Sequence, residues 1–136
     1  MFVDASAIVA ILTREPDADR LADTLEAALS PITSPIAIFE AVLGVCRKRH
    51  ASVAEGSEDV RAFLGAAGVQ TVAITEEEME AALDAFARYG KGRRHPAQLN
   101  MGDCFAYSVA KTRGTPLLFK GEDFNKTDIA IATGRR

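Results

Sequence analysis

The sequence has no tryptophan, only two cysteines and no surplus of basic residues, and each shortage removes a class of protein. Cys46 and Cys104 stand far apart without a CxxC spacing, too few for a disulfide framework, so a reduced, cytoplasmic setting is expected. No apolar run approaches the roughly 18–20 residues that a membrane span needs, and no membrane association is expected. The N-terminus reaches Asp4 without the basic and then apolar stretch of a secretory signal. A net charge of -3 and a pI near 5.4 are far from the basic balance, often above pI ~9, of an ordinary nucleic-acid-binding domain. That balance conceals two basic clusters, Arg47-Lys48-Arg49-His50 and Lys91-Gly92-Arg93-Arg94-His95. Each reads either as a set of phosphate contacts or as a solvated helix end or loop. His50 and His95 are expected on the solvated surface.

What is present is an ordinary globular composition, with 48% hydrophobic and 26% charged residues in 136. That length suffices for one domain, residues 1–136, with its own hydrophobic core. There is no internal repeat or low-complexity tract. Short apolar runs alternate with longer helical patterns, which points to an α/β protein with a parallel sheet. Met1–Val3 reads as a buried strand ending at Asp4, followed by a helix around Ser6–Thr13 that Pro16 ends. Asp17–Leu29 is amphipathic, with Ala18, Leu21, Leu25 and Leu29 at helical spacing. Ile32-Thr33 reads as a second strand. Ser34-Pro35 combines an N-cap hydroxyl with a first-turn proline and opens a helix through Glu40 to about His50. Ser52 with Glu55, and Thr75 with Glu78, have capping-box spacing. The first of these helices should stop at Gly65 or Gly68, the second at about Tyr89. Between them Gln70–Ile74 reads as a strand. Gly90–Gly102 reads as a loop, Asp103–Arg113 as a helix stopped by Gly114, Pro116–Phe119 as a strand and Ile129–Ile131 as the last strand.

Four acids stand where this patterning does not call for them. Asp4 directly follows a strand, and ligands in open parallel sheets gather beyond the carboxyl ends of strands. Glu40 lies on the apolar side of its helix, among Ile36, Phe39 and Leu43. Asp103 opens a helix, where the helix dipole favours an anion. Asp123 follows the strand ending at Phe119, within Lys120-Gly121-Glu122-Asp123-Phe124. Taken singly, Asp103 reads as a helix cap, and Asp4 and Asp123 as turn residues. Taken together they form a candidate metal site. Two like charges ~4 Å apart repel by roughly 4 kcal/mol at an effective dielectric of ~20. Converging carboxylates therefore hold protons or bind a cation. An all-oxygen donor set without clustered His or Cys favours Mg²⁺ or Mn²⁺ over zinc. Asp4 and Asp103 would hold such an ion and Glu40 would orient or deprotonate a water attacking a phosphodiester. Ser6, at the same strand end as Asp4, reads either as a hydrogen-bonding partner of a metal-bound water or of the phosphate, or as the cap of the helix that follows. Cys104, beside Asp103, reads as a small buried thiol.

These residues carry a resemblance. Met1-Phe2-Val3-Asp4-Ala5-Ser6 looks like the strand-Asp-x-Ser start of PIN-domain nucleases, and Ser34-Pro35-Ile36-Ala37-Ile38-Phe39-Glu40 like their glutamate-bearing helix. Leu99-Asn100-Met101-Gly102-Asp103-Cys104-Phe105-Ala106-Tyr107 and Leu117-Leu118-Phe119-Lys120-Gly121-Glu122-Asp123-Phe124 complete the set. Their order, spacing and total length resemble the VapC toxins of bacterial toxin–antitoxin pairs, over nearly the whole chain. The resemblance implies a three-layer α/β sandwich with a central parallel sheet flanked by helices, and an Mg²⁺-dependent endoribonuclease. It also implies a homodimer, neutralisation by a VapB-like antitoxin, and promoter DNA bound only through that antitoxin. Asp4, Glu40, Asp103 and Asp123 fall on the family's acidic positions. Asp128 falls in a further acidic stretch, with a turn role as its plainer reading. The competing readings are a catalytically inactive PIN-like binding module, a phosphatase of the haloacid dehalogenase type and a phospho-receiver domain. The phosphatase wants an Asp where Ser6 stands, and the receiver carries its Asp after the third strand.

Overall fold

Four very short strands set the architecture. In the computed structural model, which describes residues 1–133, these are β1 (Phe2–Val3), β2 (Ile32–Thr33), β3 (Gln70–Thr71) and β4 (Leu117–Leu118). All pairings are parallel, in the order β3-β2-β1-β4, with Phe2 in register with both Ile32 and Leu117. The period of two sends Phe2 and Leu117 to one face of the sheet and Val3 and Leu118 to the other. Both faces are covered, which is why β1 and β4 read as uninterrupted apolar pairs.

On the Val3 face lie α1 (Ala5–Leu12), α2 (Ala18–Glu26), α3 (Pro35–Arg49) and α4 (Val53–Ala67), packing Ile8, Leu21, Val45 and Val60 into one core. On the Phe2 face lie α5 (Glu76–Tyr89) and α6 (Met101–Thr112), with Ala85, Tyr107 and Val109 in a second core closed by Leu99 and Phe124. The result is the three-layer sandwich that the resemblance implies. Among the described residues no helix is long and apolar enough to cross a membrane.

Capping chemistry fixes three of the six described helix starts, those of α3, α4 and α5, where the sequence places them. The buried Ser34 hydroxyl accepts from the Ala37 N–H at 3.2 Å. Ser52 and Glu55 exchange reciprocal bonds of 3.1 and 2.9 Å, and Glu78 accepts from the Thr75 N–H at 2.8 Å. α4 ends at Gly68, whose φ of 69° favours a residue without Cβ.

Several boundaries differ from the sequence expectation, among them that of β3, which stops at Thr71 where a strand to Ile74 is expected, because β2 offers only two residues to pair with. α1 begins at Ala5, because the Asp4 side chain accepts from the Ser6 N–H and caps it. α2 stops at Glu26, leaving Leu29 fully exposed instead of on the apolar stripe. α6 starts at Met101 rather than Asp103, since Asn100 supplies the cap. The expected strand Ile129–Ile131 reduces to an isolated parallel bridge between Ile131 and Leu117, because its pairing is confined to that one β4 residue.

Ser34→Ala removes the acceptor for a buried N–H at the start of the helix that carries Glu40. It is expected to lower stability by about 1–2 kcal/mol, read as a lower urea midpoint with an unchanged slope.

Candidate active site

The strand order opens a crevice. The chain leaves β1 toward β2 on one side, while β4 lies on the other, so the switch point falls between the carboxyl ends of β1 and β4. Asp4 stands at that point, 4% exposed, its N–H donating to the Leu118 carbonyl at 2.9 Å. Its Oδ2 accepts from the Ser6 N–H at 3.0 Å and the Ser6 hydroxyl at 2.6 Å. Ser6 Oγ in turn accepts from the Lys120 N–H at 2.9 Å. Asp4 is thus the cap of α1, and Ser6 links it to the loop after β4. The reading of Ser6 as the helix cap is corrected.

Glu40 enters the crevice from α3, where that helix meets α6. The approach is close: a Cβ added at Gly102 would collide with the Glu40 carboxylate. The buried residues around Glu40 on α3 are the small Ala37, Ala41 and Gly44, and of the bulky ones expected there only Ile36 is half-buried. Phe39, at 65% exposure, and Leu43 face solvent. Asp103 is the third residue of α6. It accepts from the Asn100 N–H at 3.1 Å, while Asn100 accepts from the Asp103 N–H at 2.9 Å. A capping box therefore aims this carboxylate.

Asp4, Glu40 and Asp103 line one cavity of about 620 Å³ together with Ser6, Glu15, Arg47, Lys48 and Lys120. Asp123 is not among the lining residues. It is exposed, just before the 3-10 turn Phe124–Lys126, yet near enough for its charge to act on Asp103. The structure thus brings three of the four predicted acids into one cavity and leaves the fourth outside its lining.

Of the first basic cluster, Arg47 and Lys48 reach the cavity. Arg49 turns away to Asp59 at 3.0 Å, and His50 is exposed in the left-handed region at φ 55°. No residue of the 91–95 cluster lines it. His95 is half-buried rather than solvated, edge-on to Tyr89 with ring centroids 4.8 Å apart and accepting from the Ala97 N–H at 3.0 Å. Asp128 lies elsewhere, bound by the Tyr107 hydroxyl and by Lys111 at 2.9 Å, and has a structural role. Glu15 and Lys120 were not singled out by the sequence reading. Lys120 had a signal, since it stands two residues beyond β4 just as Asp4 follows β1. Glu15, in an irregular connection, had none.

Charge is unbalanced within the acidic wall. Burial raises the Asp4 carboxyl above its ordinary range, against the opposing Ser6 hydrogen bonds. Burial, then the charges of Asp4 and Asp103, push Glu40 up to about 7. Burial raises Asp103 to about 6, with Asp4 and Asp123 adding to it and the Asn100 N–H opposing. Among the described residues no Lys, Arg or His side chain forms an ion pair with Asp4, Glu40 or Asp103. Cys104, raised to about 11 by burial and by Asp103, stays a thiol. A hard divalent cation fits this deficit of positive charge and the all-oxygen donors. The fit is one of charge and donor type. Among the described residues no three ligand-type side chains already close on a single point.

A parallel α/β sandwich with carboxylates from β1, α3 and α6 at its switch crevice defines an acidic-site α/β protein. The PIN domain family model matches residues 1–130. Over 130 residues the chain is 45% identical to ribonuclease VapC30 of Mycobacterium tuberculosis, covering 96% of each chain. It is 42% identical to a VapC ribonuclease of Rhizobium meliloti, covering 94% of this chain and 98% of that one. Among solved structures it resembles Mycobacterium tuberculosis VapC20, described as a toxin that cleaves the sarcin-ricin loop. There the TM-score is 0.78 at 16% identity, covering 97% of this chain and 98% of that one. A toxin–antitoxin complex from Klebsiella pneumoniae matches with a TM-score of 0.65 at 18% identity, covering 90% and 88%. The chain belongs to the PIN-domain family, as a VapC-type member.

The raised carboxyls predict a pH dependence with a definite sign. A folded-state value near 7, above the ordinary 4.5, stabilises the protonated form, so this contribution is present at low pH and lost as pH rises through 4.5 to 7. Thermal melts of metal-free protein should therefore show lower stability at pH 8 than at pH 5. Glu40→Gln should recover about 1 kcal/mol at pH 8 and change little at pH 5; this is well below the full shift because the group is half in solvent.

Proposed function

We propose that this protein is a metal-dependent endoribonuclease toxin that hydrolyses RNA phosphodiester bonds, its whole chain acting as one nuclease domain. The observation that carries the reading is the acidic wall itself: Asp4, Glu40 and Asp103 share one cavity with no ion pair to any of them among the described residues. The ribonuclease names of its relatives support the same chemistry.

In this reading Asp4 and Asp103 would hold the ion, and Asp123 adds negative charge beside them. Bound there, Mg²⁺, with Mn²⁺ as a substitute, would supply charge neutralisation for the phosphodiester. Glu40, whose proton is held near neutrality, takes the proton from the attacking water. Water oxygen bonds to phosphorus as the bond to the leaving oxygen breaks in line. Ser6 keeps Asp4 oriented and joined to the loop after β4.

A cognate VapB-like antitoxin neutralises the toxin in the cytoplasm, and the complex reaches promoter DNA only through the antitoxin. A homodimer is part of the same proposal. Two separate apolar surfaces support protein partners, one at Phe39, Leu43 and Val53 and another at Leu83, Phe86 and Met101.

Purified protein should cleave RNA with added Mg²⁺ or Mn²⁺ and stop with chelator, as read on a gel of labelled RNA. Asp4→Asn keeps an oxygen that can cap α1 and removes the charge. It should reduce cleavage by about two orders of magnitude or more and abolish growth arrest on expression, with an unchanged circular dichroism spectrum. Intact RNA across a range of metals, from well-folded wild type, would replace this reading with that of an inactive binding module.

A further inference from the structure

The cavity that holds the three acids has a second wall of opposite charge. Arg47 and Lys48 come from the last turn of α3, Lys120 from the loop after β4, and Glu15 stands between the two lysines. Glu15 Oε2 accepts from Lys48 Nζ at 2.8 Å, and Glu15 Oε1 pairs with Lys120 Nζ. The two ends of the bridge are unequal. The Glu15 side chain is 15% exposed, whereas that of Lys48 is 50% exposed. Lys120 is further held 3.6 Å from Asp17. Arg47 is exposed and has no ion-pair partner among the described residues.

These features separate the cluster from ordinary surface pairing. A polyanion entering the cavity meets the repulsion of Asp4, Glu40 and Asp103, so cations must hold it at the entrance. The basic loop 91–95 does not line this cavity, which leaves Arg47, Lys48 and Lys120. Lys120 is committed to Glu15 and Asp17. Lys48 can swing into solvent toward a phosphate while Glu15 keeps Lys120, so no enclosed carboxylate is left without a partner.

We propose that Arg47 and Lys48 grip the phosphates flanking the reacting one, and that Glu15 is a built-in phosphate mimic that RNA displaces from Lys48. The proposal rests on the nuclease reading above and names the side of the site that takes the RNA backbone. It makes Arg47 and Lys48 positioning residues, which act on how the strand lies rather than on the bond that breaks.

The test uses the full chain carrying Asp4→Asn, with Mg²⁺ and a fluorescein-labelled single-stranded RNA of mixed sequence, followed by anisotropy over a salt series. Arg47→Ala and Lys48→Ala should each weaken binding several-fold at low salt. Each should also reduce the slope of log affinity against log salt by about 0.7, the value for one lost phosphate contact on a single strand. Glu15→Gln should tighten binding several-fold, and that gain should vanish when it is combined with Lys48→Ala, since the two groups act through one bridge. Melting curves show that each variant is folded. Unchanged slopes in folded Arg47→Ala and Lys48→Ala, with the parent binding RNA, would overturn this inference alone. A parent that does not bind RNA, together with wild type that does not cut it, would overturn the nuclease reading and this inference with it.

Discussion

The constraint on which the site depends is electrostatic. Three carboxylates are driven into a crevice between a buried sheet and two helices, and among the described residues no cation forms an ion pair with any of them. The apolar packing that stabilises the sandwich is also what withdraws water from Asp4, Glu40 and Asp103 and raises their proton affinity. Core and site are therefore one arrangement: Val3 and Leu118 are buried by the same sheet register that places Asp4 beside β4.

Helix α1 carries much of this arrangement. Its first turn is capped by Asp4 and bonded through Ser6 to Lys120, and the connection beyond it delivers Glu15 to the other side of the cavity. Val9, on the same helix, packs so closely on α3 that a Cβ at Gly44 would stand 2.7 Å from its side chain. The acidic wall and the basic wall are thus set by the two ends of one short helix and by its crossing with α3. A hydroxyl at position 6 suits this linkage, because it donates to Asp4 and accepts from the Lys120 backbone at once. A carboxylate there could not donate, which is a structural reason against the phosphatase pattern.

Much of this was legible in the sequence because the deciding signals are local. Ser34-Pro35, Ser52 with Glu55 and Thr75 with Glu78 declare helix starts through the chemistry of orphaned N–H groups. Apolar dipeptides such as Phe2-Val3 and Leu117-Leu118 declare strands buried on both faces. Asp4, Glu40 and Asp103 could be picked out because each breaks the pattern of its own element. What was not legible depends on contacts across the chain. Nothing near Glu15 in sequence announces that it will meet Lys48 and Lys120. Phe39 and Leu43 share a periodicity with Glu40, but α3 has to satisfy two neighbours, and small residues win the crowded face. His95 owes its half-buried place to Tyr89, on a different element. The start of α6 lies ahead of its apolar pattern because Asn100, in a Gly- and Pro-containing stretch that reads as loop, supplies the cap through its side chain.

The two borders of the sheet are treated differently. Beside β4, the bridge from Ile131 to Leu117 occupies the main-chain groups that a further strand would need, so growth on that flank is blocked from within. The opposite border is β3, a polar pair of residues, Gln70 and Thr71, both exposed. So short and hydrophilic a margin gives a stray extended segment little to template on. The fold thereby gains protection from edge-to-edge self-association through strand length and side-chain polarity alone.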